Sequence, residues 1–363
     1  MKSEPRIAFV IDALPALGGG ERVLFAAREI FPQADLFTLI YNRKVFANSK
    51  IAESAVQTSF LDRIPFAHKH YRLFLPIMPY AIGRFNLHEY DIIVSFSYAV
   101  AHGVKNTDGA YHVSYTYTPM RYAWMDLNIN GTHTRKNVLI EPFMQSFRQW
   151  DRNAAARVHR FAAISQSVCK RIAEAYHREA SIIYPPVDVH RFVPAHSREN
   201  FYVTVTRLVP HKRIDLIVQA FSQLELPLLI VGEGPELARL RNIAKPNIQF
   251  LGYQSDERVA ELLGRARGFV CATEEDFGIA IVEAQAAGCP VIAYGQGGAL
   301  ETVVEGTTGF FFAEQSAESL VDALQRFQRV HADFSTPALV QNARRFARET
   351  FVPQFREFIL KSH

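Results

Sequence analysis

The sequence predicts an α/β protein built as two doubly wound domains, and three observations carry that reading. Short apolar runs of the kind that form buried strands alternate with helical stretches, the pattern of parallel sheets covered on both faces. The runs fall into two series, at 6–10, 35–41, 92–95, 112–117 and 160–164, then at 200–206, 228–231, 248–251, 268–272 and 290–293. A chain of 363 residues can bury one core per series. Between the series, Tyr184-Pro185-Pro186-Val187 reads as a stiff crossing. The N-terminal domain is therefore placed at 1–186 and the C-terminal one at 187–349.

Composition bounds the function classes. With 48% apolar and 21% charged residues the chain is ordinary for a globular protein. No apolar run reaches the roughly eighteen residues that span a bilayer, and residues 1–6 lead straight into a strand, so a cytoplasmic chain is expected. Cys169, Cys271 and Cys289 make no C-x-x-C pair, which points away from a zinc site or disulfide framework and toward buried small hydrophobes. A net charge of +4 supports no nucleic-acid partner. Its distribution says more: 43–84 holds seven Lys/Arg against Glu53 and Asp62, interleaved with residues such as Tyr71, Phe74, Leu75, Met78 and Tyr80. That mixture suits peripheral contact with an anionic membrane or a lipid-linked acceptor, and equally a pair of helices whose apolar face is core.

The strand ends carry the polar motifs. After the first run come Gly18, Gly19 and Gly20, opening a helix at Glu21; adjacent glycines let backbone approach a phosphate, and the extra glycine leaves their register open by one. After the run at 200–206 come Arg207 and Lys212, a fork and a point charge suited to a diphosphate. Gly232 and Tyr253 follow the next two runs. The run at 268–272 leads to Glu275, Phe277 and Gly278, then a helix from Ile279 to Ala287 that stops at Gly288 before Pro290. Glu283 lies one turn inside that helix in an apolar stretch, where a carboxylate without a partner would cost several kcal/mol. Its side chain tilts back toward the N-terminus, so Glu275 and Glu283 can both meet hydroxyls while the helix end favours an anion.

Two glutamates separated by seven residues around Phe277-Gly278, a small-residue helix and the strand after Gly288-Cys289-Pro290 resemble the retaining nucleotide-sugar glycosyltransferases of family four. The likeness extends to Gly19-Gly20-Glu21-Arg22-Val23, to Arg207 and Lys212, and to Thr118-Pro119-Met120-Arg121-Tyr122 with Trp124, which looks like a mannosyltransferase branch. It implies a GT-B fold, two Rossmann-like domains facing an interdomain cleft, with the helix at 350–363 returning to the first domain. By the same resemblance Arg207 and Lys212 stabilise the donor diphosphate without a metal or other cofactor, Glu275 places the sugar and Glu283 takes the ribose. Gly19, Gly20, Gly232, Tyr253, Phe277, Gly278 and Ile279 complete the donor site, and Arg121, Tyr122 and Trp124 lie on the acceptor side. The branch has His where Tyr117 stands, and a second His-to-Tyr difference falls at Tyr98. Tyr117 either fills the space of a sugar 6-hydroxyl, favouring a 6-deoxy donor, or reflects drift within a mannosyl- or glucosyltransferase.

The expected function is retaining transfer of a mannose-type or 6-deoxy hexose from a nucleotide-diphosphate sugar, GDP-linked, to a glycan or lipid-linked saccharide in surface polysaccharide or lipopolysaccharide synthesis. Attack on the face the diphosphate leaves gives retention, whereas double displacement needs a carboxylate beneath the anomeric carbon and no motif supplies one. A catalytically silent GT-B protein that binds a nucleotide sugar or a partner is the alternative. An epimerase or phosphorylase fits less well, because no pyridoxal-phosphate lysine motif accompanies the glutamate pair.

Overall fold

The structure, a computed structural model, describes residues 5–47, 49, 51, 55–105, 109–124, 141–330 and 333–361. Among these, β1 (Ile7–Ile11), β2 (Asp35–Thr38), β3 (Val56–Thr58), β4 (Ile92–Ser97), β5 (Tyr111–Thr116), β6 (Arg160–Ala163) and β7 (Ala180–Ile182) form one parallel sheet in the order β3-β2-β1-β4-β5-β6-β7. A second parallel sheet, β10-β9-β8-β11-β12-β13, comprises β8 (Tyr202–Val205), β9 (Leu228–Val231), β10 (Ile248–Gly252), β11 (Gly268–Cys271), β12 (Val291–Tyr294) and β13 (Gly309–Phe312). The central strands β1, β4 and β11 are buried along their whole length, which is why they read as unbroken apolar runs. The strand order of each sheet reverses once, between β1 and β4 and between β8 and β11. Open α/β sheets bind ligands beyond the carboxyl ends of strands at such reversals.

The chain separates into two compact units, one of Val187–Thr350 and one of the described residues before Val187 joined by those from Phe351 onward. The helix Arg348–Leu360 makes that join. It drives Phe355 into the core of the first unit, where its ring lies 6.0 Å from Phe96 and 5.7 Å from Tyr115. Tyr115 is fully buried and its hydroxyl donates to the Ile183 carbonyl at 2.9 Å, closing the same core from the other direction.

Two details depart from the sequence reading. The stretch 43–84 is not a pair of long amphipathic helices. It breaks into short turns at Phe60–Arg63, Ala67–His70, Tyr71–Ile77 and Met78–Ile82, punctuated by Pro65, Pro76 and Pro79. A proline gives no amide to a helix ladder, so three in fifteen residues keep each turn short. Leu75 and Met78 do enter the core, whereas Phe66, Leu73 and Tyr80 stay exposed. Cys271 and Cys289 are buried as expected, but Cys169 is only half-buried. Among the described residues no helix is long and apolar enough to cross a membrane.

Candidate active site

In the second unit the loop after β8 carries the cations and the loop after β11 carries the carboxylates. The turn Pro210–Lys212 ends at Arg213 in the left-handed region, φ 52°, which turns the chain into the helix Ile214–Leu224. Thr273 Oγ1 donates to the His211 carbonyl at 2.8 Å, tying the two loops together. Lys212 Nζ then meets Glu275 Oε1 at 2.6 Å, with the two side chains 17% and 22% exposed. Cys271 Sγ lies 3.9 Å from the same oxygen. Burial, reinforced by the Glu275 charge, pushes the Cys271 thiol up to about 12, so it stays protonated at neutral pH and cannot act as a nucleophile. Arg207 stands exposed on the same loop.

Glu275 is held in place by its backbone. Its carbonyl accepts the Gly298 amide at 2.7 Å, and a Cβ added at Gly298 would sit 2.4 Å from Phe277 Cα, so only glycine lets the two loops approach. Phe277 is buried with its ring 5.3 Å from Phe346. The ring anchors the loop that carries Glu275 and Gly278. Gly278, φ 93°, caps the helix Ile279–Ala286, and Ile279 begins it half-buried. Glu283, one turn in, is 8% exposed and accepts from Arg191 Nη2 at 3.0 Å; Arg191 Nη1 pairs with Asp256. Gly232 is obligatory, since a Cβ there would lie 1.9 Å from the Thr206 carbonyl, and its amide donates to the Gly252 carbonyl at 2.8 Å. Tyr253, next in the chain, is exposed.

The first unit builds its strand ends differently. Asp12, directly after β1, is buried, and its two oxygens accept the amides of Tyr98, Ala99, Val100 and Ala101. Burial pushes this carboxyl upward, against amide donors that favour the anion. Gly18 caps the helix Gly19–Ile30, making Gly19 and Gly20 its first two residues. Tyr117 donates its hydroxyl to the Gly20 carbonyl at 2.8 Å, and a Cβ on Gly20 would come within 3.4 Å of the Tyr117 ring. Tyr98 lies 6.5 Å from Tyr117, centroid to centroid, with its hydroxyl 3.3 Å from the Ala13 carbonyl. Burial holds both phenols well above their usual range, so both are neutral donors.

The turn Arg121–Trp124 follows β5. Trp124 was expected on the acceptor side, but its Nε1 donates inward to Asp151 at 2.6 Å, which also accepts from Tyr176 at 2.9 Å. Arg121 is half-buried on the same turn, and the Tyr122 side chain lies outside the described residues. The structure thus joins Lys212 to Glu275 and Tyr117 to Gly20. It gives Glu283 a partner that no motif announced, Arg191, 92 residues away. Asp12 was likewise visible only as a polar residue ending an apolar strand.

Two open parallel sheets, with polar residues gathered where the strand order reverses, define the class: an α/β protein with the GT-B arrangement of two doubly wound units. Solved structures of that fold match along nearly all of the chain. The Anabaena protein Alr3699/HepE, in complex with UDP and glucose, is similar with TM-score 0.74 and 19% identity over 99% of this chain and 100% of that one. Sucrose-phosphate synthase from Thermosynechococcus elongatus is similar with TM-score 0.75 and 18% identity over 98% of each.

Residues 187–350 match the model of the family described as Glycosyl transferases group 1. A GDP-mannose-dependent alpha-(1-6)-phosphatidylinositol monomannoside mannosyltransferase of Mycobacterium tuberculosis is 34% identical over 44% of this chain and 50% of its own length. An N-acetyl-alpha-D-glucosaminyl L-malate synthase of Bacillus anthracis is 28% identical over 43% and 44%. The chain spans about half the length of the curated relatives it matches.

Proposed function

We propose that the protein is a retaining, metal-independent glycosyltransferase that moves a hexose from a nucleotide-diphosphate sugar to a glycan or lipid-linked saccharide. The observation that carries this is the Lys212–Glu275 pair at 2.6 Å, a cation and a carboxylate held together where β8 and β11 diverge. A donor offers each a better partner: diphosphate oxygens for Lys212, sugar hydroxyls for Glu275. Arg207 adds a second positive charge, the amides at Gly278 and Ile279 favour a phosphate, Glu283 accepts from the ribose, and the Gly232 and Tyr253 loops take the base through backbone groups.

In the reaction the bond from anomeric carbon to phosphate oxygen breaks with its electron pair going to the diphosphate. The acceptor hydroxyl attacks from the same face, and its proton passes to the departing phosphate. Lys212 and Arg207 stabilise the charge that grows on that leaving group, which is where preorganised cations lower a barrier most. This supply of charge at the diphosphate is the reason for proposing a metal-independent enzyme.

For the donor we propose GDP carrying a mannose-type or 6-deoxy hexose. Mannosyltransferases named as GDP-mannose-dependent are among its relatives, and Tyr117 is neutral with its one hydroxyl hydrogen committed to the Gly20 carbonyl, so it has none to donate to a sugar 6-hydroxyl. The setting proposed is cytoplasmic surface-polysaccharide synthesis at the inner face of the plasma membrane. Half of the fourteen exposed large hydrophobics among the described residues, Phe66, Leu73 and Tyr80 included, lie between Val45 and Tyr80, with Lys69 and Arg84 seated over the rings of Phe66 and Tyr80. Cosedimentation with anionic vesicles, lost on charge reversal at Lys69 and Arg72, is the expected result; absence from vesicles at every salt concentration removes the membrane contact.

Screening nucleotide sugars for thermal protection and for release of free nucleotide tests the main reading, since a ligand bound only by the fold raises its stability. Protection and turnover with a GDP-hexose support it. Protection without release, with or without acceptor, favours a silent binder, and protection by no nucleotide sugar overturns both.

A further inference from the structure

Arg191 has no task in the chemistry above, yet its guanidinium is 22% exposed and joins two carboxylates. It sits in the turn Val189–Arg191, which the hydrogen bond from Val187 N to the Phe346 carbonyl at 2.9 Å fastens to its own unit. One arm reaches Glu283 on the helix Ile279–Ala286, and the other reaches Asp256 in the first turn of the helix Asp256–Arg265, directly after the Tyr253 loop. The guanidinium also lies 4.7 Å over the Phe192 ring, and its buried Nε finds no acceptor. Leaving that N–H unmet is unfavourable, so the two charge-assisted bonds must outweigh it.

The arrangement meets a specific need. Glu283 is flanked by the buried Val282 and Ala284, where a carboxylate needs a countercharge. A lysine would supply charge alone. A planar fork braced at its far end by Asp256 also fixes direction.

We infer that Arg191 is a positioning residue for the donor nucleoside: it locks the Glu283 carboxylate in the orientation that meets the ribose diol and, through Asp256, couples that orientation to the loop that holds the base. The inference rests on the reading that Glu283 receives the ribose. It predicts that Arg191 controls discrimination by ribose hydroxyls, not merely affinity or folding.

The test is equilibrium binding of GDP and UDP, each beside its 2′,3′-dideoxy form, to the full chain and to Arg191→Met, Arg191→Lys and Asp256→Asn. Wild-type protein should prefer the diol form of its nucleotide about tenfold or more, the range of hydrogen bonds to a charged group. Arg191→Met should bring that ratio to within about twofold of one, Arg191→Lys should recover part of it, and Asp256→Asn should fall between. A ratio in Arg191→Met equal to wild type, with both forms weakened alike, overturns the inference. If that variant does not fold, an unchanged ratio in Asp256→Asn, whose side chain is mostly solvent-exposed, overturns it instead. A wild-type protein indifferent to the diol removes the ribose role of Glu283, and the inference with it. Failure of the inference alone leaves wild-type discrimination intact.

Discussion

The two sheets share an architecture and furnish the ends of their strands in opposite ways. Beyond β8 and β11 the second unit sets charge against charge, Lys212 on Glu275 and Arg191 on Glu283 and Asp256. Beyond β1, β4 and β5 the first unit turns its polar groups onto backbone: Asp12 takes four amides, Tyr98 reaches a carbonyl at Ala13, and Tyr117 another at Gly20. Side-chain ion pairs can exchange partners when a ligand arrives, whereas a carboxylate saturated by four amides has none to give up. Under the proposed function, the second unit offers a charged ligand exchangeable partners and the first holds a shape.

Substitutions can break that contrast. The largest effect is expected from Asp12→Ala, which strands four amides in a buried place; at 1–3 kcal/mol for an orphaned donor the loss of stability should be about 3 kcal/mol or more. Urea melts that coincide with wild type would show that the carboxylate is dispensable. Lys212→Ala should leave the melt nearly unchanged and lower kcat/KM by roughly 10²–10³, the scale for losing one preorganised transition-state contact. Near-normal turnover would mean that the diphosphate is held elsewhere.

A smaller effect is expected from pH. His112 is buried, its Nε2 2.9 Å from Ser95 Oγ, and burial lowers its pKa to about 3. The unfolded chain, with an ordinary histidine near 6.5, binds that proton more readily than the fold does. The stability from keeping His112 neutral is thus complete above about pH 6.5 and is lost toward pH 3, at about 1.4 kcal/mol per pH unit. His112→Gln should flatten that acid limb; an unchanged slope would assign it to other groups. Least costly should be Tyr117→Phe, about 1 kcal/mol for one hydrogen bond. Its informative readout is transfer from GDP-mannose against a GDP-6-deoxyhexose, where a marked wild-type preference for mannose would count against the proposed effect of the phenol on donor choice.

What the sequence revealed and what it hid have physical reasons. Ten of the strands announced themselves as apolar runs, nine of them because strands on both sides bury them, and β10 did so although it lies at an edge. The three that did not, β3, β7 and β13, are edge strands, and stretches such as Val56-Gln57-Thr58 and Ala180-Ser181-Ile182 carry too little apolar pattern to stand out. The spacing of Glu275, Gly278 and Glu283 was legible because one loop and one helix turn set it. Arg191 and Asp12 were not, since each acts on residues more than eighty positions away and no local rule links them. Trp124 was placed on the acceptor side by resemblance alone, and its partner Asp151 lies on a different helix, where no local rule links the two.

The helix Arg348–Leu360 gives the chain a timetable. The first unit has most of its residues before Val187, yet Phe96 and Tyr115 receive the Phe355 ring only after the whole of 187–350 has been made. On a ribosome, where domains tend to fold in order of emergence, the first unit would still lack this ring when its own strands have been made. The family-matching segment can complete its core first, while the earlier half waits with an aromatic gap for a residue some 170 positions beyond its own boundary.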